Sequence, residues 1–230
     1  MAELVRYAKI TTVMPREFLL LQGQGCVWKK CTFCDYHTDV SSDPFWVNRP
    51  VLERVTGEFG VLDIINSGSA MELDEKTLSL IRKTADDKGI HTLWFEAHWL
   101  YHKKLAEFAA RFPNQTVHFR CGAESFDPAL RRAWNKGIPE EVTPEEMARY
   151  FDGVCLLVGV EGQTREGILK DIETARAHFS YCSVNVFAEN STDTKRDRVL
   201  ADWFAAEAAP RLRKLPGVEV LLENTDLGVG

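Results

Sequence analysis

Residues 153–191, with the sequence GVCLLVGVEGQTREGILKDIETARAHFSYCSVNVFAENS, decide the fold class of this chain. The apolar runs 153–162 and 181–191 are dense in Val, Leu and Phe, which is typical of strands buried on both faces. Between them, Thr164 is suited to cap a helix whose apolar residues recur at helical spacing from Ile168 to Phe179. A strand, a helix and a second buried strand in this order predict a right-handed parallel βαβ unit.

The same alternation extends over the rest of the chain. Further strands are predicted at residues 18–22, 61–68, 91–99 and 116–125, with a weaker seventh pattern at 218–224. Helices are predicted from Asp74 to Gly89, at 100–111, at 127–135 and at 196–212, where Pro210 should kink the helix or end it early. Because eight repeats would close a barrel, we expect an α/β fold with a parallel sheet in a partial (βα)6 TIM-like barrel. No linker is evident, so residues 1–230 are predicted to form a single domain.

The composition and charge of the chain exclude several classes of protein. Of 230 residues, 45% are hydrophobic and 27% are charged, which excludes a disordered or collagen-like chain. No run approaches the ~18 apolar residues of a membrane span, and the opening MAELVRYAKI lacks the apolar core of a signal peptide. We therefore expect a cytoplasmic protein without membrane partners. The formal net charge of −6 disfavours binding to nucleic acid and favours a small-molecule partner.

A cluster of cysteines follows the first predicted strand, in residues 25–37, GCVWKKCTFCDYH. Cys26, Cys31 and Cys34 are spaced C-x4-C-x2-C, and soft thiolate ligands select iron–sulfur clusters, zinc or copper(I). With His37 as fourth ligand the site would be a closed structural zinc centre without chemistry. A cubane iron–sulfur cluster usually has four cysteine ligands, so three would leave one iron open. The size of the domain and the aromatic residues of the loop favour the iron–sulfur cluster.

This loop resembles that of the radical S-adenosylmethionine (SAM) superfamily, whose signature is three cysteines after the first strand with an aromatic residue before the last. Phe33 occupies the aromatic position, whereas four residues separate the first two cysteines where the superfamily usually has three. The resemblance covers nearly the whole chain, since the strand–helix repeats fit the partial (βα)6 barrel of the superfamily. It implies a [4Fe-4S] cluster on Cys26, Cys31 and Cys34, and SAM on the open iron, cleaved to a 5′-deoxyadenosyl radical.

The resemblance also implies SAM-binding residues, beginning with Phe33 in the cysteine loop. A Gly-Gly-Glu-like loop after the second strand corresponds to Asn66, Ser67 and Gly68, although the double glycine is absent. A polar motif after the fourth strand corresponds to Arg120, Glu124 and Ser125. A Gly-x-x-Gly-x-x-Glu-like stretch after the fifth strand, which packs near adenine in the superfamily, includes Val160.

Polar residues at other strand ends are candidates for substrate binding. Glu96 and His98 lie in WFEAHW and should face a cavity, where a carboxylate can accept N–H groups or pair with an ammonium. The alternative is that Glu96 binds a helix N-terminus and that His98 is a satisfied core histidine. Glu189, Asn190 and Glu223 end later predicted strands. Such carboxylates and amides suit a ligand with many N–H donors, such as a guanine-like base; no residue is assigned as catalytic.

Within the superfamily, the compact chain, the C-x4-C-x2-C spacing and the acidic strand ends look most like the queuine lyase group of queuosine salvage. This resemblance implies a lyase that converts queuine, a 7-deazaguanine base, to the aminomethyl base preQ1. It also implies a low-potential electron donor such as flavodoxin or ferredoxin. Two alternatives stay open at this point: a radical SAM enzyme that modifies tRNA directly, and a non-catalytic zinc-stabilised binding module.

Overall fold

The computed structural model describes residues 4–230, and the chain divides into two compact units. The first unit comprises the described residues up to Lys29, residues 36–119 and residues 227–230. The second unit comprises residues 30–35 and 120–226. The cysteine loop therefore contributes Cys26 to the first unit, and Cys31 and Cys34 to the second. The single domain over residues 1–230 stays a prediction.

Parallel strands form the core of the first unit. In this unit β2 (Arg16–Leu21), β3 (Val61–Asn66) and β4 (Thr92–Ala97) pair in parallel, in the order of the chain. A further strand, β1 (Tyr7–Ile10), pairs antiparallel to β2. The sequence did not predict β1, because its four residues YAKI contain no apolar run. The predicted strand at 18–22 begins earlier than expected, since β2 starts with two charged residues that are nevertheless buried.

Parallel strands also form the core of the second unit. β5 (Thr116–Glu124) starts in the first unit and ends in the second, where it pairs with β6 (Gly153–Val158). β7 (Tyr181–Val186) and β8 (Val218–Leu221) continue the parallel series. The weakly predicted strand at 218–224 is thus confirmed as β8. The expected α/β class with parallel strands is also confirmed. Of the polar residues at the predicted strand ends, Asn66, Glu96, Arg120 and Glu124 lie in the last part of their strands, and the others lie in the loops that follow.

The helices connect successive strands, as the βαβ pattern predicts. The α-helices are α1 (Pro44–Leu52), α2 (Glu75–Asp87), α3 (Leu105–Ala109), α4 (Pro128–Ala133), α5 (Pro144–Met147), α6 (Arg165–His178), α7 (Arg198–Trp203) and α8 (Ala209–Leu212). Within residues 4–230, no helix combines the length and the apolar character needed to cross a membrane.

Side-chain caps begin the two longest helices where the sequence places them. Asp74 accepts a hydrogen bond from Thr77 N over 2.9 Å, and Thr164 Oγ1 accepts one from Gly167 N over 3.0 Å. The helical segment continues to Leu212, so Pro210 does not end it early, and the predicted kink stays a prediction. A π-helical turn, Phe204–Ala208, precedes the proline and widens the backbone where the pyrrolidine ring would otherwise clash.

Buried charges with complete sets of partners lie at the amino ends of β2 and β3. Arg16 and Asp63 form a fully buried ion pair with an N–O distance of 2.8 Å. Glu17 is also buried and accepts hydrogen bonds from Tyr7 and from the backbone of Thr56. Burial raises the pKa of the Glu17 carboxyl, but its hydrogen bonds outweigh burial and hold the pKa below the usual value.

A lowered pKa in the folded state makes Glu17 a source of acid lability. Its contribution to stability is present above the unfolded-state pKa of about 4.3 and is lost as pH falls through the folded-state pKa. We expect Glu17→Gln to lower the free energy of unfolding at pH 7 by about 1–3 kcal/mol and to flatten the loss of stability below about pH 4. Urea unfolding at a series of pH values measures both effects; an unchanged acid slope would contradict this role.

Candidate functional site

Polar segments gather where the strands of the first unit end. In parallel strands the carboxyl ends lie at one edge, where ligands bind in α/β folds. At this edge β2 is followed by the loop 22–29, which carries Cys26, and β3 is followed by the segment 66–72. β4 is followed by His98. The contacts of these segments define the candidate site in this unit.

The segment after β3 holds the half of the cysteine loop that lies in the first unit. Gln24 N donates a hydrogen bond to the carbonyl oxygen of Glu72 over 3.0 Å. Val27 N donates to the Oε1 carboxylate oxygen of Glu72 over 3.0 Å. The loop is therefore attached to one residue on both sides of Cys26.

Glu72 is the centre of these contacts, and the sequence analysis did not single it out. Its carboxylate also accepts hydrogen bonds from Ser69 N over 2.7 Å and from the Tyr101 hydroxyl over 3.0 Å, and the residue is only 6% exposed. Gly68 leaves space for it, because a Cβ atom there would lie 2.0 Å from Glu72 Oε2. The sequence does carry one sign of this role, because the spacing Ser69-x-x-Glu72 is the pattern of a capping box. In the structure, the Glu72 carboxylate accepts the hydrogen bond from Ser69 N that belongs to such a box.

The predicted SAM-binding residues Asn66, Ser67 and Gly68 lie at and just beyond the end of β3. Asn66 Nδ2 donates to the Ser69 carbonyl oxygen over 3.1 Å, whereas Asn66 Oδ1 is buried without a hydrogen-bond partner. Ser67 Oγ accepts a hydrogen bond from Gly23 N over 2.9 Å. A buried acceptor without a partner is costly, so Asn66 Oδ1 is suited to accept a hydrogen bond from a ligand.

Glu96 and His98 occupy different environments at the end of β4. Glu96 is half-buried within the strand, whereas His98 is buried and precedes the 3-10 helix Trp99–Lys104. His98 Nδ1 accepts a hydrogen bond from Leu100 N over 3.1 Å, and the ring stacks on Trp28 with centroids 5.5 Å apart. The bond to Nδ1 assigns the proton of the neutral ring to Nε2. His98 thus caps a helix and carries a donor at its other nitrogen.

Apolar packing holds the other half of the cysteine loop in the second unit. Phe33 is 8% exposed and meets Trp134 edge to face at a centroid distance of 5.9 Å. The other members of this apolar cluster are Leu157, Val160 and Phe187, with Cys31 and Cys34 packed against it. The predicted cofactor residues Phe33 and Val160 therefore belong to one cluster, beside two of the three predicted ligands.

Hydrogen bonds from the segment after β7 reinforce this packing. Asn190 Nδ2 donates to the Phe33 carbonyl oxygen over 2.7 Å, and Thr194 Oγ1 donates to the Thr32 carbonyl oxygen over 2.7 Å. Asn190 Oδ1 accepts a hydrogen bond from Thr192 N over 3.0 Å. Asn190, predicted as a substrate residue, is thus also an anchor of the cysteine loop.

A buried ion pair lies beside Phe33. Lys136 Nζ is 3.0 Å from Glu124 Oε1 and 5.7 Å from the centre of the Phe33 ring. Burial is the largest single influence and lowers the pKa of Lys136, but the charge and hydrogen bond of Glu124, together with the influence of Cys31 and Cys121, raise the pKa overall, so the ammonium stays charged. Glu124 follows a bulge in β5 and has a φ of 65°, a strained value for a residue with a side chain. Strain of this kind is common at functional sites.

The other predicted SAM-binding residues of the second unit have partners of their own. Arg120 is 3% exposed and its guanidinium lies 5.5 Å from the centre of the Tyr181 ring. Ser125 Oγ donates to Asp171 Oδ2 over 2.6 Å, and burial raises the pKa of the Asp171 carboxyl. Arg120 and Ser125 are therefore both buried and in contact with neighbours in the second unit.

Two predicted substrate residues are exposed. Glu189 lies after β7 and accepts a long hydrogen bond of 3.5 Å from Arg196 N. Glu223 lies after β8, in a turn where Glu223 N donates a hydrogen bond to Asp226 Oδ2 over 3.2 Å. Their roles stay predictions.

The six cysteines divide into two classes by exposure. The predicted ligands Cys26, Cys31 and Cys34 are partly exposed, whereas the other three are buried, and none of the six forms a disulfide. In the part of the chain that the structure describes, no group of three or more His, Cys, Asp or Glu side chains is placed to hold a metal ion. The assignment of these thiols as ligands therefore rests on their spacing and their accessibility.

The solved structures that are similar to this chain include a queuine lyase and a methylornithine synthase. A queuine lyase from Clostridium spiroforme, bound to SAM and queuine, is 38% identical with a TM-score of 0.93, and the match covers 99% of this chain and 100% of that one. Methylornithine synthase (PylB) is 12% identical with a TM-score of 0.56, covering 92% of this chain and 74% of that one, a likeness of fold alone. No family model and no curated protein matches the chain.

The ion pair beside Phe33 makes a prediction about stability. Lys136→Met leaves the Glu124 carboxylate buried and unpaired, and we expect it to lower the free energy of unfolding by about 3 kcal/mol. The double variant Lys136→Met/Glu124→Gln removes both charges and should recover more than half of that loss. Chemical denaturation of the wild type and the variants measures the coupling. A double variant no more stable than the single one would contradict the pairing.

Proposed function

This chain belongs to the queuine lyase family of radical SAM enzymes, and we propose that it cleaves SAM and removes the cyclopentenediol of queuine to give preQ1. The observation that carries the proposal is the 38% sequence identity with a queuine lyase over 99% of this chain and 100% of that one. Membership confirms the predicted fold class, an α/β chain with the partial (βα)6 TIM-like barrel of the radical SAM core. It also favours catalysis over the alternative of a zinc-stabilised binding module.

The donor set of the cysteine loop fits a [4Fe-4S] cluster. Three partly exposed thiols from one loop are soft ligands, and they leave one iron available to a further ligand. The apolar cluster around Phe33 packs against Cys31 and Cys34 and covers part of their surface. When bound, the cluster and SAM supply a 5′-deoxyadenosyl radical, which abstracts a hydrogen atom from the substrate.

The polar residues at the strand ends would bind and orient SAM. In the first unit, the unpartnered Oδ1 of Asn66 supports a contact with an N–H donor such as the methionine amino group, beside Ser67 and Gly68. In the second unit, the buried guanidinium of Arg120 is suited to a carboxylate or ribose. Glu124, Ser125 and Val160 complete the proposed set, and Lys136 holds the Glu124 carboxylate in place.

The 7-deazaguanine base would be recognised through its N–H edge. Glu96 is a half-buried carboxylate at the end of β4, suited to accept two N–H bonds or to pair with the secondary amine. His98 Nε2 carries a donor for a ring nitrogen or a carbonyl oxygen. Glu189, Asn190 and Glu223 are proposed as further substrate contacts, and Asn190 is also held by the cysteine loop.

We also propose the partners and the location of the enzyme. The substrate is a small molecule rather than tRNA, which the formal net charge of −6 supports. A low-potential flavodoxin or ferredoxin of the cytoplasm would supply the electron. Binding of tRNA that weakens steeply with salt would instead favour the alternative of direct tRNA modification.

Removal of one cluster ligand tests the cofactor. We expect anaerobically reconstituted Cys31→Ala to lose the broad visible absorbance of an iron–sulfur cluster and to form neither 5′-deoxyadenosine nor preQ1. Spectroscopy, iron analysis and mass spectrometry of the products measure this. The matched control is Cys182→Ala, because burial raises the pKa of Cys182 to about 12 and keeps that thiol inert. Full activity of Cys31→Ala would refute the assignment.

Neutralisation of Glu96 tests the substrate site. Glu96→Gln should lower preQ1 formation by about tenfold or more, the effect of losing a hydrogen bond to a charged acceptor, while SAM cleavage continues uncoupled. The ratio of 5′-deoxyadenosine to preQ1, measured by mass spectrometry, should rise accordingly. Glu53→Gln, which neutralises an exposed glutamate paired with Arg49, is the control. An unchanged ratio would remove Glu96 from the site.

A further inference from the structure

We propose that Glu72 is a positioning residue for the cysteine loop: its carboxylate holds the backbone beside Cys26 in the conformation that offers this thiol to the cluster. The role of Cys26 as a ligand rests on the proposed function, whereas the hold on the loop does not. Glu72 lies on the short 3-10 turn Ala70–Glu72 after β3, outside every residue that the sequence analysis selected.

The Glu72 carboxylate uses both of its oxygens. Oε1 accepts Val27 N at 3.0 Å and the Tyr101 hydroxyl at 3.0 Å, and Oε2 accepts Ser69 N at 2.7 Å. These donors come from the loop after β2, the 3-10 helix after β4 and the turn after β3. An ionised carboxylate has acceptor sites for all of them, and hydrogen bonds to a charged acceptor are about twice as strong as neutral ones.

The cysteine loop depends on such contacts because it lacks regular structure. Residues 22–29 form no helix and no strand, so their N–H groups need partners outside a ladder. Gln24 N binds the Glu72 carbonyl oxygen and Val27 N binds its carboxylate, one before and one after Cys26. Within the loop, Lys29 N donates to Cys26 Sγ over 3.3 Å, so the thiol shares this backbone conformation.

Close packing makes the arrangement specific. A Cβ atom on Gly68 would lie 2.0 Å from Glu72 Oε2, 3.1 Å from Cys26 Cα and 3.1 Å from the Gly25 carbonyl oxygen. Glycine at this position therefore lets the carboxylate and the backbone of Cys26 approach the same turn. A movement of the Glu72 side chain is transmitted to Cys26 rather than absorbed by empty space.

The chain offers a matched control in Glu17. Like Glu72, it is a buried carboxylate of the first unit that accepts a tyrosine hydroxyl and backbone N–H groups, here Tyr7, Thr56 N and Gly57 N at 2.7 Å each. It lies near the start of β2, at the opposite end of the strand from the cysteine loop. Glu17→Gln should therefore cost stability without any effect on Cys26.

The test is thiol reactivity in the full-length, metal-free protein. Folded wild type, Glu72→Gln and Glu17→Gln are treated with iodoacetamide, and alkylation of each cysteine is followed by peptide mass spectrometry. Cys31 and Cys34 serve as internal references. Because a single amide oxygen cannot serve all the donors of the carboxylate, we expect Glu72→Gln to raise the alkylation rate of Cys26 by about tenfold. The rates of Cys31 and Cys34 should change by less than about twofold.

Two further arms separate positioning from charge and from misfolding. At about pH 10 free thiols are ionised, so an increase that persists there reports loop opening rather than the lost negative charge. Tyr101→Phe keeps the carboxylate and removes one hydrogen bond, and we expect a smaller increase of about threefold at Cys26 alone. This variant keeps the proposal testable if Glu72→Gln fails to fold.

The outcomes distinguish this proposal from the proposed function. A selective increase at Cys26 in the Glu72 and Tyr101 variants supports the positioning role, even if the wild type neither binds iron nor converts queuine. An unchanged Cys26 rate overturns it, as does an equal increase in Glu17→Gln or an effect that vanishes at pH 10. In reconstituted protein, faster loss of iron to a chelator from Glu72→Gln than from Glu17→Gln would further support it.

Discussion

Parallel pairing of strands is the constraint on which the placement of the polar residues depends. Each parallel connection leaves a strand at its carboxyl end and returns to the opposite edge, so the segments after successive strands share one edge. In the first unit this rule places the loop of Cys26, the segment 66–72 and His98 at the same edge. The strands supply rigidity, and the loops that follow them supply the chemistry.

Buried charged side chains form two groups, one near the starts of β2 and β3 and one beside the cysteine loop. The buried pair of Arg16 and Asp63 and the hydrogen-bonded Glu17 lie in the amino-terminal halves of β2 and β3, away from the strand ends that the cysteine loop follows. Glu72 and Glu124 lie after β3 and at the end of β5, next to residues that contact cysteines or Phe33. A buried charge needs partners because desolvation costs several kcal/mol. Because Glu72 and Glu124 need their partners in this way, they link the stability of the fold to the order of the cysteine loop.

Different kinds of interaction restrain the two halves of the cysteine loop. In the first unit, hydrogen bonds to Glu72 restrain the backbone around Cys26. In the second unit, apolar packing of Phe33 and the amide of Asn190 restrain the segment of Cys31 and Cys34. Ligands that are already ordered lose less conformational entropy when they bind. The proposed ligands Cys26, Cys31 and Cys34 thus lie on segments that contacts within each unit already order.

Local patterns in the sequence were enough for the fold class and the cysteine motif. Buried parallel strands are recognisable because both faces must be apolar. Caps such as Asp74 and Thr164 act within one helical turn, and the three cysteines of the motif lie within nine residues. The short polar strand β1 and the charged start of β2 were not predicted, because their burial follows from strand pairing rather than from hydropathy.

The contacts of Glu72 and Lys136 were decided only by tertiary structure. Glu72 meets Val27 across 45 positions of sequence, and Lys136 meets Phe33 from beyond β5. A carboxylate or an ammonium can be a surface charge, a cap or a buried anchor, and its residue type is the same in each case. Which of these it becomes depends on the donors and acceptors that folding brings to it, and those arise from chain segments that no local pattern connects.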